Sequence, residues 1–460
     1  MERGGAAVNG DESNQEDDLR ELLRKLMSGE GDIDPSRLAA AAGLPSDPAA
    51  LQAMLGQLQQ AMSRAGDSID WAASLHAAEA IAGSSQRQLA DDESVRLHQA
   101  FTVAALWLDE VVDVTALAAP PELMTRRSWV VATMPVWSEL AEPVAVSIAD
   151  ALTSVLSEHA PEEMRSMLEQ ASKMLRGVGG ALFAMQFGQA IGRLSSEVIA
   201  GGDIGIPLIS DGRAVLLPQN FESLSTDLDV PLDEVALYLA VRELAHARLF
   251  RHARWLRLHF ISAIKAFASG IRIDTDRMES LAENFDPADT EALKQAVSTG
   301  ELIRPRTPEQ EAALARIETM LALVEGWVDA VTAAATSRLP HAAALAEAIR
   351  RRRATGGPAE SALSSLVGLE LRPRRLRDAA ALWTAVGDAV GVAARDALWA
   401  HPDLVPTGED LDAPAALIAH LTGTSTPDAS ADDFDRQLQE WLDGPAPGAA
   451  GTEPGADATD

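Results

Sequence analysis

The spacing of apolar residues along this chain is helical almost throughout, and that periodicity limits the fold more than any other feature. Apolar side chains recur three and four positions apart from Leu97 to Leu117, Met164 to Ile199, Leu232 to Phe250, Glu309 to Ala335 and Arg377 to Val392. Such spacing lays an apolar stripe along one side of a helix, and the abundant Ala and Leu are strong helix formers. The stretches break at Ala119-Pro120-Pro121, Gly356-Gly357-Pro358 and His401-Pro402, where Pro and Gly interrupt helices. No unit recurs at a fixed period, which argues against a solenoid. The chain is expected to be mainly α.

One segment has a different pattern. From Pro207 to Pro218, two short apolar runs flank Ser210-Asp211-Gly212, which predicts a β-hairpin with Gly212 at positive φ. An isolated hairpin is marginal in water, so it must lie against helices. Residues 19–442 are expected to form a large mainly helical domain with this hairpin as its one small sheet, a division into two lobes near Gly201 being the alternative. The acidic ends, 1–18 and 443–460, offer almost nothing to bury and are expected to be disordered. Gly188 and Gly192, four apart in a helical stretch, predict a close helix–helix contact.

Composition removes several classes of function. Asp and Glu number 69 against 38 Lys and Arg, a formal net charge of −31. Nucleic acid and anionic membranes are therefore poor partners, since like charges repel. The chain has no cysteine, so disulfides, thiolate zinc sites and cysteine nucleophiles are excluded. Any metal site is left to His and carboxylates. The chain lacks an apolar run of membrane-spanning length, and its first residues are acidic, which predicts a soluble cytoplasmic protein. Its bases are nearly all arginine, as expected of a GC-rich bacterial genome.

The stretch from Asp233 to Phe250 carries the most chemistry. Pro231 and Asp233 open it with helix-start residues. Arg242 and His246, at i and i+4, share one face, with Glu243 beside them. With histidine in place of Arg242 this would be His-Glu-x-x-His, in which two imidazoles hold zinc and the glutamate deprotonates its water. A second apolar helix places Glu325 and Asp329 at i and i+4. Acids inside such a helix are costly unless paired or metal-bound. Glu325 could be a third metal ligand supported by Asp329, or the two could be an ordinary polar pair.

These residues, with Asp70-Trp71, Gly188-Gln-Ala-Ile-Gly192, Arg242-Glu-Leu-Ala-His-Ala-Arg-Leu-Phe250, Glu325-Gly-Trp-Val-Asp329, Arg350 to Arg353 and Leu398-Trp-Ala-His-Pro-Asp403, resemble the zincin-like bacterial proteins. That family was first catalogued as a domain of unknown function and is often labelled as hydrolases or zinc-dependent metalloproteases. The resemblance covers most of the chain. It implies a zincin-like active-site helix, with Glu243 in the place of the general base and His246 in that of the second histidine. Arg242 stands where the first histidine would be.

A guanidinium stays protonated and has no lone pair for a metal. Two readings follow. In one, the protein is a metallohydrolase acting on peptides, with Glu243 as base, His246 and Glu325 as zinc ligands and the 207–218 hairpin as an edge for extended substrate. In the other, it is a catalytically inactive relative that binds a peptide or protein partner, with Arg242 supplying the metal's charge by pairing with Glu325 or Asp329. Glu243-x-x-His246 also has the spacing of di-iron bundles, but the second such pair is missing. Arg350 to Arg353 with Arg372, Arg374, Arg375 and Arg377 either pair with the acidic helices or capture a carboxylate or phosphate. His252 and His259 are expected to be partly buried structural residues, and the tryptophans to pack in the core.

Overall fold

In the computed structural model, residues 69–424 are described apart from 85–86, 159–179, 182, 272–304 and scattered positions between 358 and 370. They all belong to one compact unit beginning at Ile69. The acidic ends, 1–18 and 443–460, lie outside the described residues, as does the first part of the Met164 to Ile199 stretch. The helices in chain order are α1 (Trp71–Gly83), α2 (Asp91–Asp109) and α3 (Arg126–Glu158). Then come α4 (183–194), α5 (Pro218–Leu228), α6 (Leu232–His252), α7 (Trp255–Ala268) and α8 (Pro308–Ala335). The series ends with α9 (Ala342–Thr355), α10 (Leu376–Val390), α11 (Val392–Ala397), α12 (Gly408–Asp412) and α13 (Pro414–Leu421). Among the described residues, no helix is long and apolar enough to cross a membrane. The mainly α expectation holds.

Two helices form the centre. α6 is buried without interruption from Tyr238 to Leu249, and α8 from Met320 to Asp329. A helix apolar on all sides belongs in a core, and these two are packed against one another between α2 on one side and α7 and α10 on the other. Their ends follow local rules. Thr307 caps α8 in a capping box, its Oγ1 accepting from the Gln310 N–H (3.3 Å) while the Gln310 side chain accepts from the Thr307 N–H (3.0 Å), with Pro308 at the first turn. Asp233 and Glu234 start α6, and Arg251 and His252 end it, each sign matched to the helix dipole. Trp129, Trp327, Trp383 and Trp399 are fully buried; Trp383 stacks on Trp399 at 5.2 Å and donates to the Leu323 carbonyl of α8 at 2.9 Å.

The segment 207–218 is not a hairpin. Gly212 does take a positive φ of 68° and its N–H reaches the Ile209 carbonyl (3.1 Å), but the arm before it forms no strand. The second arm, β2 (Val215–Leu216), instead runs parallel to β1 (Glu122–Leu123). On its other side it meets 199–201, with Gly201 N–H on the Val215 carbonyl (2.9 Å) and Leu217 N–H on that of Ile199 (3.0 Å). β2 is buried, and its parallel partner β1 comes from far along the chain, while its antiparallel partner at 199–201 lies just before Pro207 rather than after it. Both edges of β2 are therefore taken, so the expected edge for an extended peptide does not exist there. The Leu97 to Leu117 helix also stops early, at Asp109.

Gly188 and Gly192 bring α4 onto α1. A Cβ at Gly188 would lie 2.2 Å from the Ser74 carbonyl oxygen, and one at Gly192 would lie 2.8 Å from that of Ala78. Gly188→Ala should therefore lower stability by about 1–3 kcal/mol, the usual cost of overpacking. Gly83→Ala, where a Cβ meets nothing within 4 Å, should be neutral or mildly stabilising. Urea midpoints of the two variants give the comparison.

Candidate functional site

Arg242, Glu243 and His246 of α6 and Glu325 of α8 are 3%, 1%, 1% and 0% exposed. Charges at such depth persist only when paired. Arg242 donates from Nη2 to Glu325 Oε2. His246 Nε2 lies 3.3 Å from the other oxygen, Oε1, and Arg353 Nε of α9 is 3.7 Å from that same atom. Burial alone would raise the Glu325 carboxyl, but the guanidinium groups of Arg242 and Arg353, with His246, outweigh it and hold its pKa at about 2. Glu325 is thus an anion and can only accept, which puts the shared hydrogen on His246 Nε2. Burial also lowers the His246 pKa, against the pull of Glu325. The imidazole is therefore neutral, with its remaining lone pair on Nδ1, a buried atom without a hydrogen-bond partner among the described residues.

Glu243 faces elsewhere. Its Oε1 accepts from the Val215 N–H at 2.7 Å and its Oε2 from the Gly202 N–H at 2.9 Å. The side chain ties α6 to β2 and to the loop before it. Burial pushes its pKa up to about 8, although these backbone donors pull the other way.

That loop, Gly201-Gly202-Asp203-Ile204-Gly205, is buried throughout and seals the site. A Cβ at Gly201 would lie 2.8 Å from Glu243 Oε1, one at Gly202 2.4 Å from His246 Cβ, and one at Gly205 3.0 Å from Glu325 Oε1. Each glycine thus covers one of the three side chains, and Gly205 also needs its φ of 81°. Asp203 anchors the loop, accepting from the Ile199 N–H (3.0 Å) and from Arg352 Nη1 (2.8 Å). Its carboxyl, which burial would raise, is held low by Arg352 and Arg353.

The arginine run at 350–353 closes the network. Arg350 donates to Asp329 Oδ2 from Nε (3.0 Å) and Nη2 (2.7 Å). Arg353 reaches the Ile204 carbonyl (3.1 Å) as well as Glu325. Of the later arginines, Arg375 pairs with Asp412 (2.7 Å) and Arg377 with Glu347 (2.9 Å). Asp329 is therefore the partner of Arg350, and Glu325 that of Arg242. His252 is exposed; His259, on α7, packs edge-on to Trp255; neither joins the network. The sequence pattern named Arg242, Glu243, His246, Glu325 and Asp329, but not the glycine loop, Asp203 or Tyr238. Tyr238, one turn before Arg242, is buried and its phenol pushed up to about 12; a lone tyrosine inside the same apolar run was its signal.

The donor set does not fit a zinc ion. Arg242 has no lone pair, both Glu325 oxygens are engaged by nitrogens, Glu243 is turned to backbone N–H groups, and of these four side chains His246 alone has a lone pair to spare, on Nδ1. Zinc needs about three protein ligands, and among the described residues no three His, Asp or Glu side chains are gathered to hold a metal. The same applies to a di-iron site.

Arg242→Met should destabilise the fold by ~3–5 kcal/mol, because Glu325 would keep its charge without its main partner. Arg242→Met with Glu325→Leu should recover most of that loss; a double-mutant cycle from urea denaturation measures it. Glu243 has a folded pKa near 8, above the usual carboxylate value. It contributes stability that is present below about pH 4.5 and lost as pH rises towards 8, on the order of a few kcal/mol. Glu243→Gln should flatten this part of the stability–pH profile.

A comparison with curated proteins finds no match. Among solved structures, a protein from Chloroflexus aurantiacus described as "a putative hydrolase with a novel fold" is similar over 77% of this chain and 99% of its own, at 20% identity and a TM-score of 0.52. At that identity the likeness is one of fold. The sequence profile of the zincin-like metallopeptidases matches residues 69–418, a span that takes in α6, the glycine loop, α8 and the arginine run. The chain belongs to the zincin-like metallopeptidase family.

Proposed function

We propose that this protein is a metal-free member of its family that works by binding a peptide or protein segment rather than by hydrolysis. One observation carries the proposal: the Arg242 guanidinium is seated on Glu325, in the position where the family's motif would place a ligating imidazole. Two others support it. Glu243, the residue in the general base's place, has both oxygens committed to backbone N–H groups. The glycine loop leaves no room over His246 even for a Cβ. A net charge of −31 favours a neutral or basic partner over nucleic acid or an anionic membrane.

Family membership favours a second reading, a zinc hydrolase using Glu243 with His246 and Glu325. It requires Arg242 to leave Glu325 and Glu243 to leave Val215 and Gly202. Metal analysis of the purified full chain separates the two. The proposal expects zinc far below one equivalent and no peptide hydrolysis after zinc is added. Stoichiometric zinc that is lost in His246→Ala would overturn it in favour of the hydrolase. Arg242→His should raise bound zinc towards about one equivalent, since it supplies a second imidazole one turn from His246. It should not confer hydrolysis, because Glu243 stays engaged.

A further inference from the structure

The opposite face of α6 holds a different feature. Leu244 and Arg248 fall on the side of the helix away from Arg242 and His246, and there they line a cavity of about 310 Å³ shared with α2 and the chain at 116–121. Buried Phe101 and Leu244 form its apolar floor, and Ala105, Leu117 and Pro121 extend that surface. At one end stands Arg248, whose side chain is only 3% exposed. Among the described residues its one ion pair is with Asp109 Oδ1 at 2.5 Å, and its Nε is buried without a hydrogen-bond partner.

The partner is poorly placed. Asp109 is 55% exposed and is the last residue of α2, where the carbonyl end of the helix disfavours negative charge. A guanidinium in a cavity wall is a strong site for a carboxylate, which in place of Asp109 can meet it through two parallel hydrogen bonds. Apart from His98 and Thr102 the remaining wall is apolar, and the volume is that of a small-ligand pocket. We propose that this cavity binds small monocarboxylic acids with an apolar body, the carboxylate displacing Asp109 from Arg248 and the body lying on Phe101 and Leu244. The proposal does not depend on how the network on the other face of α6 works.

Isothermal titration of the full chain with 4-phenylbutyrate, its uncharged amide and acetate tests this. 4-Phenylbutyrate should bind saturably at one site, with the amide and acetate each weaker by about tenfold or more. Arg248→Gln should weaken 4-phenylbutyrate by about tenfold or more, and Asp109→Asn should strengthen it by about threefold or more by removing the competing anion. Asp109 is at the surface, so this second variant decides the matter even if Arg248→Gln does not fold. No saturable binding below about 10 mM, equal binding of acid and amide, or an unchanged affinity in Asp109→Asn would each overturn the proposal.

Discussion

The buried contact between Arg242 and Glu325 is the constraint on which the centre of this molecule depends. α6 and α8 are enclosed on all sides, and each carries a charge that the core would not tolerate alone. Because one residue of helix turns by about 100°, a slip of either helix by a single position would part the two groups. The pair therefore sets the rotation of both helices. Arg353 extends this control to α9, and through Asp203 and Ile204 the same region holds the glycine loop. Low dielectric strengthens each link and makes each unpartnered group costly.

The zincin-like relationship and the local chemistry answer different questions. A fold persists through its packing, whereas an activity resides in a few side chains placed on it. A guanidinium and a metal cation are alike in one respect, since either can keep Glu325 ionised within the core. They differ in another, because a guanidinium has no open coordination position at which to activate water. Exchanging one for the other preserves the electrostatic reason for α6 and α8 to pack as they do.

Much of this arrangement was legible in the sequence because it is local. The spacing of apolar residues gives α8 within a residue of its ends, and charged residues inside such a run mark themselves as paired. Arg242, Glu243, His246 and Glu325 stood out for that reason. Strand pairing was not legible: β2 looks like one arm of a hairpin, but its antiparallel partner at 199–201 lies outside the segment and its parallel partner at 122–123 is remote, so that tertiary packing selects it. The helix at 97–117 was overextended because apolar residues continue after Asp109, where Val114 is buried from a non-helical segment. The glycine loop was missed because a glycine carries no sign of the side chain it will cover.

The close fit of that loop couples three side chains from two helices that the sequence keeps apart. With Gly201, Gly202 and Gly205 each against a different side chain, the three contacts form a ratchet. Exchanging Arg242 alone leaves the roof in place and the clasp at Glu243 shut. Opening the roof alone exposes a charged core that is stable only while closed. No single substitution therefore frees His246, Glu243 and Glu325 together, since each is held by a different glycine contact.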